Sequence, residues 1–520
     1  MDPEEFHLDN NTSATKIGWT ALILVSLSSF IIALDSTFMN VAITNLVVDL
    51  NTTVSAIQVI ITVYALTMAS LMLLGGKMQD VVGRKNAFLA GAVVYGIGTT
   101  TAALSINATM LLIGWSILEG IGAALMTPAT ASIITGTYKG KNRAFALGIW
   151  TAIASVGAAI GPLIGGFLTT FFSWRWGFGL ELVIVIFVLA FSKKLNYFPP
   201  SMKFSDIDKW SVVLSSFGIL ILVLGILSLN SIQNLVIAPI MMGAGIILLI
   251  MFYFREKKII NRDETPLTDI RLFKNRDFTL GNLTRLIMQL ALAGAVFVLP
   301  VFLQQVSGAN AFTTGLAILP LTIGLLIFAI ASSRISNYIA PHYLVSMGFL
   351  LALAGSFFLR FQFNLHTQII DIIPGTLLLG IGLGLALPIT GNIVLSSAGA
   401  DKQSDASGIL STSASLGTSL GTAIIGIILI LGIINGIYIA VDQTFPNEFS
   451  KTQIKQNLTQ YEQKMHTTNI TALKSNETSI AYIIVNKTVG HAMQTAFDFV
   501  SIIFFIGFIM SLYIKPLKRQ

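Results

Sequence analysis

LEGIGAALMTPAT (118–130) and LLGIGLGLALPIT (378–390) are one pattern written twice, 260 residues apart. The register continues without a gap, because GIWTAIASVGAAIGPLIGG (148–166) falls on GILSTSASLGTSLGTAIIG (408–426). Across this offset 17 of the 49 positions from Leu118 to Gly166 are identical. Apolar helices agree by chance in leucine and isoleucine, but rarely keep glycine, proline and serine in step over such a length. Each copy covers two apolar runs and the polar loop between them, and the two loops fall on the same side. The repeat is therefore parallel, with its axis along the membrane normal. Shifting the first apolar run by the same offset predicts a second half beginning near residue 277, and a new apolar run does begin near Thr279.

Outward from that repeat, the whole chain of 520 residues is 54% hydrophobic and 11% charged. Apolar runs of about twenty residues recur along it, the length that crosses roughly 30 Å of hydrocarbon. Backbone amides in lipid must be satisfied within the segment, so runs this long mean helices, and the alternating signature of a barrel is missing. Breaks at charged or turn-rich residues predict fourteen spans, near 18–46, 55–76, 86–105, 109–136, 144–172, 176–192, 209–229, 235–254, 279–305, 312–333, 342–361, 372–398, 406–440 and 493–514. The fold class expected is all-α integral membrane: two six-helix halves and two inserted helices. The corresponding boundaries are 1–192, 193–276 and 277–520, the last carrying a polar loop over about 442–485 with sequons at Asn457, Asn469, Asn476 and Asn486. The first run is far longer than the apolar core of a cleaved signal peptide and reads as an uncleaved span.

A net charge of +7 suggests nucleic acid only when the basic residues gather on one surface. Here they sort by loop. Lys77, Arg84 and Lys85, then Lys139, Lys141 and Arg143, then Lys193, Lys194 and Lys203 alternate with connections nearly free of basic residues. The segment from Arg255 to Arg276 and the tail with Lys515, Lys518 and Arg519 fall on the same side. By the positive-inside rule that side, with both termini, is cytoplasmic. Cysteine is absent, which excludes disulfides and thiolate metal sites. The five histidines show no ligand spacing, and neither metal nor cofactor is expected. A phosphate loop of an ATP-driven pump is missing, and no nucleophile, base or metal cluster of a membrane enzyme can be assembled from the sequence.

Three motifs carry a family resemblance. Gly76-x-x-x-Asp80-x-x-Gly83-Arg84-Lys85 lies between the second and third spans, Ala33-Leu34-Asp35-Ser36-Thr37-x-x-Asn40-Val41-Ala42 in the first, and Gly157-x-x-x-Gly161-Pro162-x-x-Gly165-Gly166 in the fifth. Together they resemble the signatures of the major facilitator superfamily, specifically its fourteen-helix drug:proton antiporters. That resemblance implies multidrug efflux across the cell membrane, with a small molecule, protons and the lipid bilayer as partners, and a monomer. It also implies that the fifth-span motif favours exchange over leak. The chain departs from the family at Ser116-x-x-Glu119-Gly120, where drug antiporters commonly have R-x-x-Q-G. That departure makes export of a lipid or an endogenous metabolite the nearest alternative, and a non-transporting membrane sensor is the alternative from another class.

The residues can be read physically as well. Gly76 and Gly83 suit a tight turn and close helix approach, with Asp80 placed to accept backbone amides at a helix start and to pair with Arg84. Gly157, Gly161 and Gly165, spaced by four, share one helix face, and Pro162 removes a hydrogen bond. Ionisable residues inside spans are functional candidates, here Asp35, Glu119 and Arg285, for proton coupling or substrate binding. Glu181 and Asp498 lie close to span ends and read as interfacial. Tyr64, Met68, Trp150 and Phe297 are candidates to line a cavity for flat lipophilic compounds.

Overall fold

A computed structural model describes residues 19–138, 140–229, 236–336, 338–398, 402–444 and 480–514. Every regular element among them is helical. In order they are α1 (Thr20–Phe38), α2 (Ile43–Asp49), α3 (Val54–Val82), α4 (Arg84–Ala103), α5 (Ala108–Leu111) running into a π-helical segment (Leu112–Glu119), α6 (Gly120–Thr137), α7 (Gly140–Phe171), α8 (Arg175–Ala190), α9 (Lys209–Ser228), α10 (Ile237–Ile260), α11 (Arg276–Gln305), α12 (Ala311–Ile335), α13 (Pro341–Leu359), α14 (Ile369–Ser397), α15 (Gln403–Thr444) and α16 (Ile480–Ser511). Among the described residues eleven helices are long and apolar enough to cross a membrane. The expected spans at 86–105, 144–172 and 176–192 coincide with α4, α7 and α8, which fall short of that measure.

Polar residues set the helix starts. Thr53 accepts the amide of Ala56 at α3, Asn107 that of Met110 at α5, Asn275 that of Asp277 at α11 and Asn310 that of Thr313 at α12. The sequence-derived ends need three corrections. The first span does not run to 46: α1 stops at Phe38, and a 3-10 turn over Met39–Val41 leads into the short α2. The last helix begins at Ile480 rather than near 493, and α15 continues to Thr444. Most of the expected loop, with Asn457, Asn469 and Asn476, lies outside the described residues, as do Met1–Thr15, Lys139 and the basic tail. Asn486 lies within α16, where its Oδ1 accepts the amide of Leu365 at 2.8 Å.

Backbone-close packing organises the bundle. A Cβ on Gly157 would stand 2.5 Å from the carbonyl oxygen of Phe30, and one on Gly161 3.0 Å from that of Leu34, so α7 lies directly on α1. In the later part of the chain α15 meets α11 in the same manner, Gly417 against the Leu286 carbonyl and Gly421 against that of Leu290. Farther along, the small residue changes sides: Gly165 receives Phe38, whereas Ile425 packs on Gly294. Two seams join the early and late helices, α3 against α15 and α7 against α12. At the first, Gln58 donates to the Thr422 carbonyl at 2.9 Å and Ser419 to that of Thr62 at 3.1 Å. At the second, Gly315 and Gly166 admit the Pro162 and Ala311 carbonyls. Small residues at such interfaces matter because lipid supplies no hydrophobic drive between helices.

The α9–α10 hairpin rests on α3 and α15 through α9, with Leu66, Ala69, Ile219 and Val223 forming a small core. Asp208 caps α9 through the Ser211 amide and pairs with Arg255 of α10. The Arg255 guanidinium, its strongest influence, holds the Asp208 carboxyl down to about 2. A depressed folded value means stabilisation that is full above the ordinary carboxylate range and is lost as pH falls through about 2. Asparagine caps as well as aspartate. Asp208→Asn is therefore expected to cost about 1–2 kcal/mol at neutral pH, with the difference from wild type vanishing as pH approaches that value in denaturant titrations.

Candidate functional site

Three helices of the first part of the chain bring three carboxyls together. Asp35 of α1, Glu119 at the end of the π segment and Glu181 of α8 are all fully buried, with carboxylate oxygens within 4.8 Å of one another. π-helical segments are rare and gather at functional sites. Here the segment directs Trp115, Ser116 and Glu119 inward. The Trp115 indole donates to Asp35 Oδ2 at 2.9 Å and stacks on Tyr64, with ring centroids 5.4 Å apart. Tyr95 donates its hydroxyl to Glu181 Oε2 at 3.1 Å. Gly98 makes room on α4, since a Cβ there would stand 2.8 Å from Glu119 Cγ.

Among the described residues Asp35 Oδ1, both oxygens of Glu119 and Glu181 Oε1 find no donor in good hydrogen-bond geometry, although the Tyr64 hydroxyl lies close to Asp35, and those of Thr99 and Tyr95 close to Glu119. Two unit negative charges 4.8 Å apart repel by roughly 3 kcal/mol at an effective dielectric of 20. Protons or a cationic guest relieve that repulsion. Three carboxylate oxygens fall short of the roughly six to eight ligands a calcium ion takes, and two of the carboxyls already serve aromatic donors.

Glu181 is a correction to the sequence reading. Its place near the start of a span suggested an interfacial residue, yet it is as buried as Asp35 because α1 and α4 close over α8. Asp498 does sit at a partly exposed position, 2.8 Å from Arg360. Ser116, which stands where the resemblance leads one to expect arginine, is buried and donates to the Ile60 carbonyl at 2.7 Å. Arg285 does not join the acids. Its Nη1 donates to the Leu387 carbonyl at 3.0 Å, between α11 and α14. Of the expected cavity residues, Tyr64 is part of the site, Met68 and Phe297 are buried in the core, and Trp150 donates to Ser29 at 2.6 Å.

The fifth-span motif supports this site directly. Gly157, Gly161 and Gly165 all face α1, the helix that carries Asp35, and Thr37 donates across the contact to the Ala158 carbonyl at 3.3 Å. The turn motif at 76–85 is built differently from its sequence reading. Gly83 has φ +86° and lies against the Phe198 carbonyl, as a tight turn requires. Gly76 lies inside α3, and a Cβ there would meet nothing within 4 Å. Asp80 is near the end of α3 rather than at a helix start, and its backbone carbonyl accepts the amides of Ser201 and Met202. Arg84 donates to the Ser132 carbonyl at 2.8 Å and covers the Phe198 ring instead of pairing with Asp80, and Lys85 donates to the Leu195 carbonyl at 3.0 Å. The motif thus straps the segment after α8 onto the α3–α4 turn.

Ties at both ends of the bundle cross between its parts. Lys77 of α3 pairs with Asp405 of α15 at 3.3 Å, while at the opposite end Gln304 of α11 donates to the Val41 carbonyl and accepts the Thr44 amide. Lys77→Asp or Asp405→Lys alone is expected to weaken closure at that end by about 1 kcal/mol, and the double exchange to restore it. Cross-linking rates of cysteine pairs introduced at the α3–α15 seam read that difference.

The family model of the Major Facilitator Superfamily matches residues 25–422, from within α1 to near the middle of α15. The chain belongs to that superfamily. Similar superfamily proteins include the multidrug efflux pump LfrA of Mycolicibacterium smegmatis, 28% identical over 79% of this chain and 80% of the relative. The methylenomycin A resistance protein of Bacillus subtilis is 27% identical over 81% and 89% of the two chains, and the methyl viologen resistance protein SmvA of Salmonella typhimurium (strain LT2) 29% identical over 79% and 82%. This is a multi-pass membrane protein of a transporter family rather than an enzyme, and its relatives are efflux and resistance transporters. Asp35 and the glycine motif at 157–166 lie within the matched region.

Proposed function

We propose that this superfamily member exports lipophilic, cationic organic compounds in exchange for protons. The observation that carries the reading is the buried trio Asp35, Glu119 and Glu181, whose mutual repulsion favours either protons or a cation in the same place. Proton and cationic substrate then compete for one set of carboxyls, which is the simplest chemistry of exchange. Residues 1–192 and 277–520 act as two six-helix halves that rock about the site, with 193–276 supplying two inserted helices. The parallel use of Gly157 and Gly161, then Gly417 and Gly421, supports the repeat, and α4, α7 and α8 complete fourteen spans. Both termini are cytoplasmic in this reading, the membrane is the plasma membrane and the unit is a monomer.

Inverted membrane vesicles loaded with a pH-sensitive dye test the proposal. Adding a lipophilic mono- or dication is expected to release protons from the acidified lumen, in proportion to the cation taken up. Cation uptake without proton movement refutes exchange. Indifference to every cation, with transport of a neutral lipid or metabolite, replaces the substrate class.

A further inference from the structure

Among the described residues Arg285, half-buried and about a third of the way along α11, is a strongly basic side chain that this reading leaves unused. It sits on α11 and reaches α14, where the Leu387 carbonyl, already taken by the Thr390 hydroxyl, accepts one of its five donors. Its Nε is buried without a partner, and among the described residues no carboxylate forms an ion pair with it. A half-buried guanidinium whose Nε is covered and whose one hydrogen bond goes to a shared carbonyl is under-satisfied, and its planar fork matches a carboxylate in bidentate fashion. Asn282 lies one turn earlier on the same face of α11 and is held by Phe278 and Ser413. The surroundings of Arg285 are thus polar but without negative charge.

The packing also gives its level. Leu286 and Leu290 meet the glycines of α15 as Phe30 and Leu34 meet those of α7, so Arg285 corresponds to Ser29, six residues before Asp35. At 1.5 Å per residue the arginine lies roughly 9 Å along the bundle from the level of the acids. One half carries an unneutralised acidic trio and the other an unneutralised cation. We propose that Arg285 is an anion subsite, and that the transporter's substrates include amphoteric compounds bearing a carboxylate as well as a cationic group. The carboxylate binds the Arg285 fork while the cationic end reaches the acids. This rests on the export reading above and adds a substrate class to it.

A matched pair of dyes tests it: rhodamine 110, which carries a free carboxylate, and rhodamine 123, its cationic methyl ester. Binding is measured by fluorescence polarisation to the full chain in nanodiscs. Arg285→Gln is expected to weaken rhodamine 110 by about ten-fold or more while leaving rhodamine 123 within about two-fold, and Arg285→Lys to recover part of the loss. Retained rhodamine 123 binding certifies that the variant is folded. Equal losses for both dyes, or no loss for either, overturn the subsite. Binding of rhodamine 123 alone by the wild type also overturns it but leaves cation export standing, whereas failure of both dyes to bind or be exported overturns the two readings together.

Discussion

Asp35→Asn is expected to abolish proton release driven by an added cation and to lower cation export by about one hundred-fold, the cost of losing a charge-assisted contact of about 2–3 kcal/mol at the proposed coupling site. The substitution is conservative in shape. The asparagine carbonyl can still accept the Trp115 indole N–H, so the Trp115–Tyr64 stack and the α1–α7 contact persist. What disappears is the only group on α1 that can hold either a proton or a cation at this level. Glu119→Gln removes the carboxyl whose two oxygens find no donor in good hydrogen-bond geometry and is expected to act in the same direction, by about ten-fold or more. Reconstituted vesicles with an imposed pH gradient separate the effects, because a variant that merely misfolds loses binding as well as coupling.

Gly161→Leu is expected to be the most damaging single change to the scaffold. A side chain at this position runs into the Thr37 hydroxyl and the Leu34 backbone, and neither can retreat without parting α7 from α1. Overpacking against backbone costs about 3 kcal/mol or more here, enough to abolish a stable product. Gly76→Ala is the internal control. It lies in a motif but in open space within a helix, so alanine there is expected to be neutral or to stabilise by about 0.5–1 kcal/mol. Detergent-extracted yield and thermal aggregation temperature of the two variants report the contrast.

The helices and the small-residue contacts were legible in the sequence because both follow from one-dimensional rules, apolar run length and spacing by four. The repeated GxxxG patterns mark one face each of α7 and α15, and α1 and α11 lie against those faces. Depth was not legible. Position along a span says how far a residue is from that helix's own end, but Glu181 is covered by Tyr95 and Glu119 from other elements. The π segment that carries the buried Trp115 and Glu119 leaves no mark in apolar periodicity. The turn motif misled in a different way, since Asp80 and Arg84 stand four apart, as an ion pair on one helix does, while Gly83 breaks the helix between them and sends Arg84 to Ser132.

Proton release on binding tests the exchange of protons for cation most directly. Purified protein in lightly buffered detergent solution near neutral pH is titrated with tetraphenylphosphonium while pH and bound cation are followed together. Release of about one proton or more per bound cation, falling to near zero in the Asp35→Asn, Glu119→Gln double variant, is the expected result. Saturable cation binding with no proton release in the wild type contradicts it, and with it the assignment of the buried carboxyls as the coupling site.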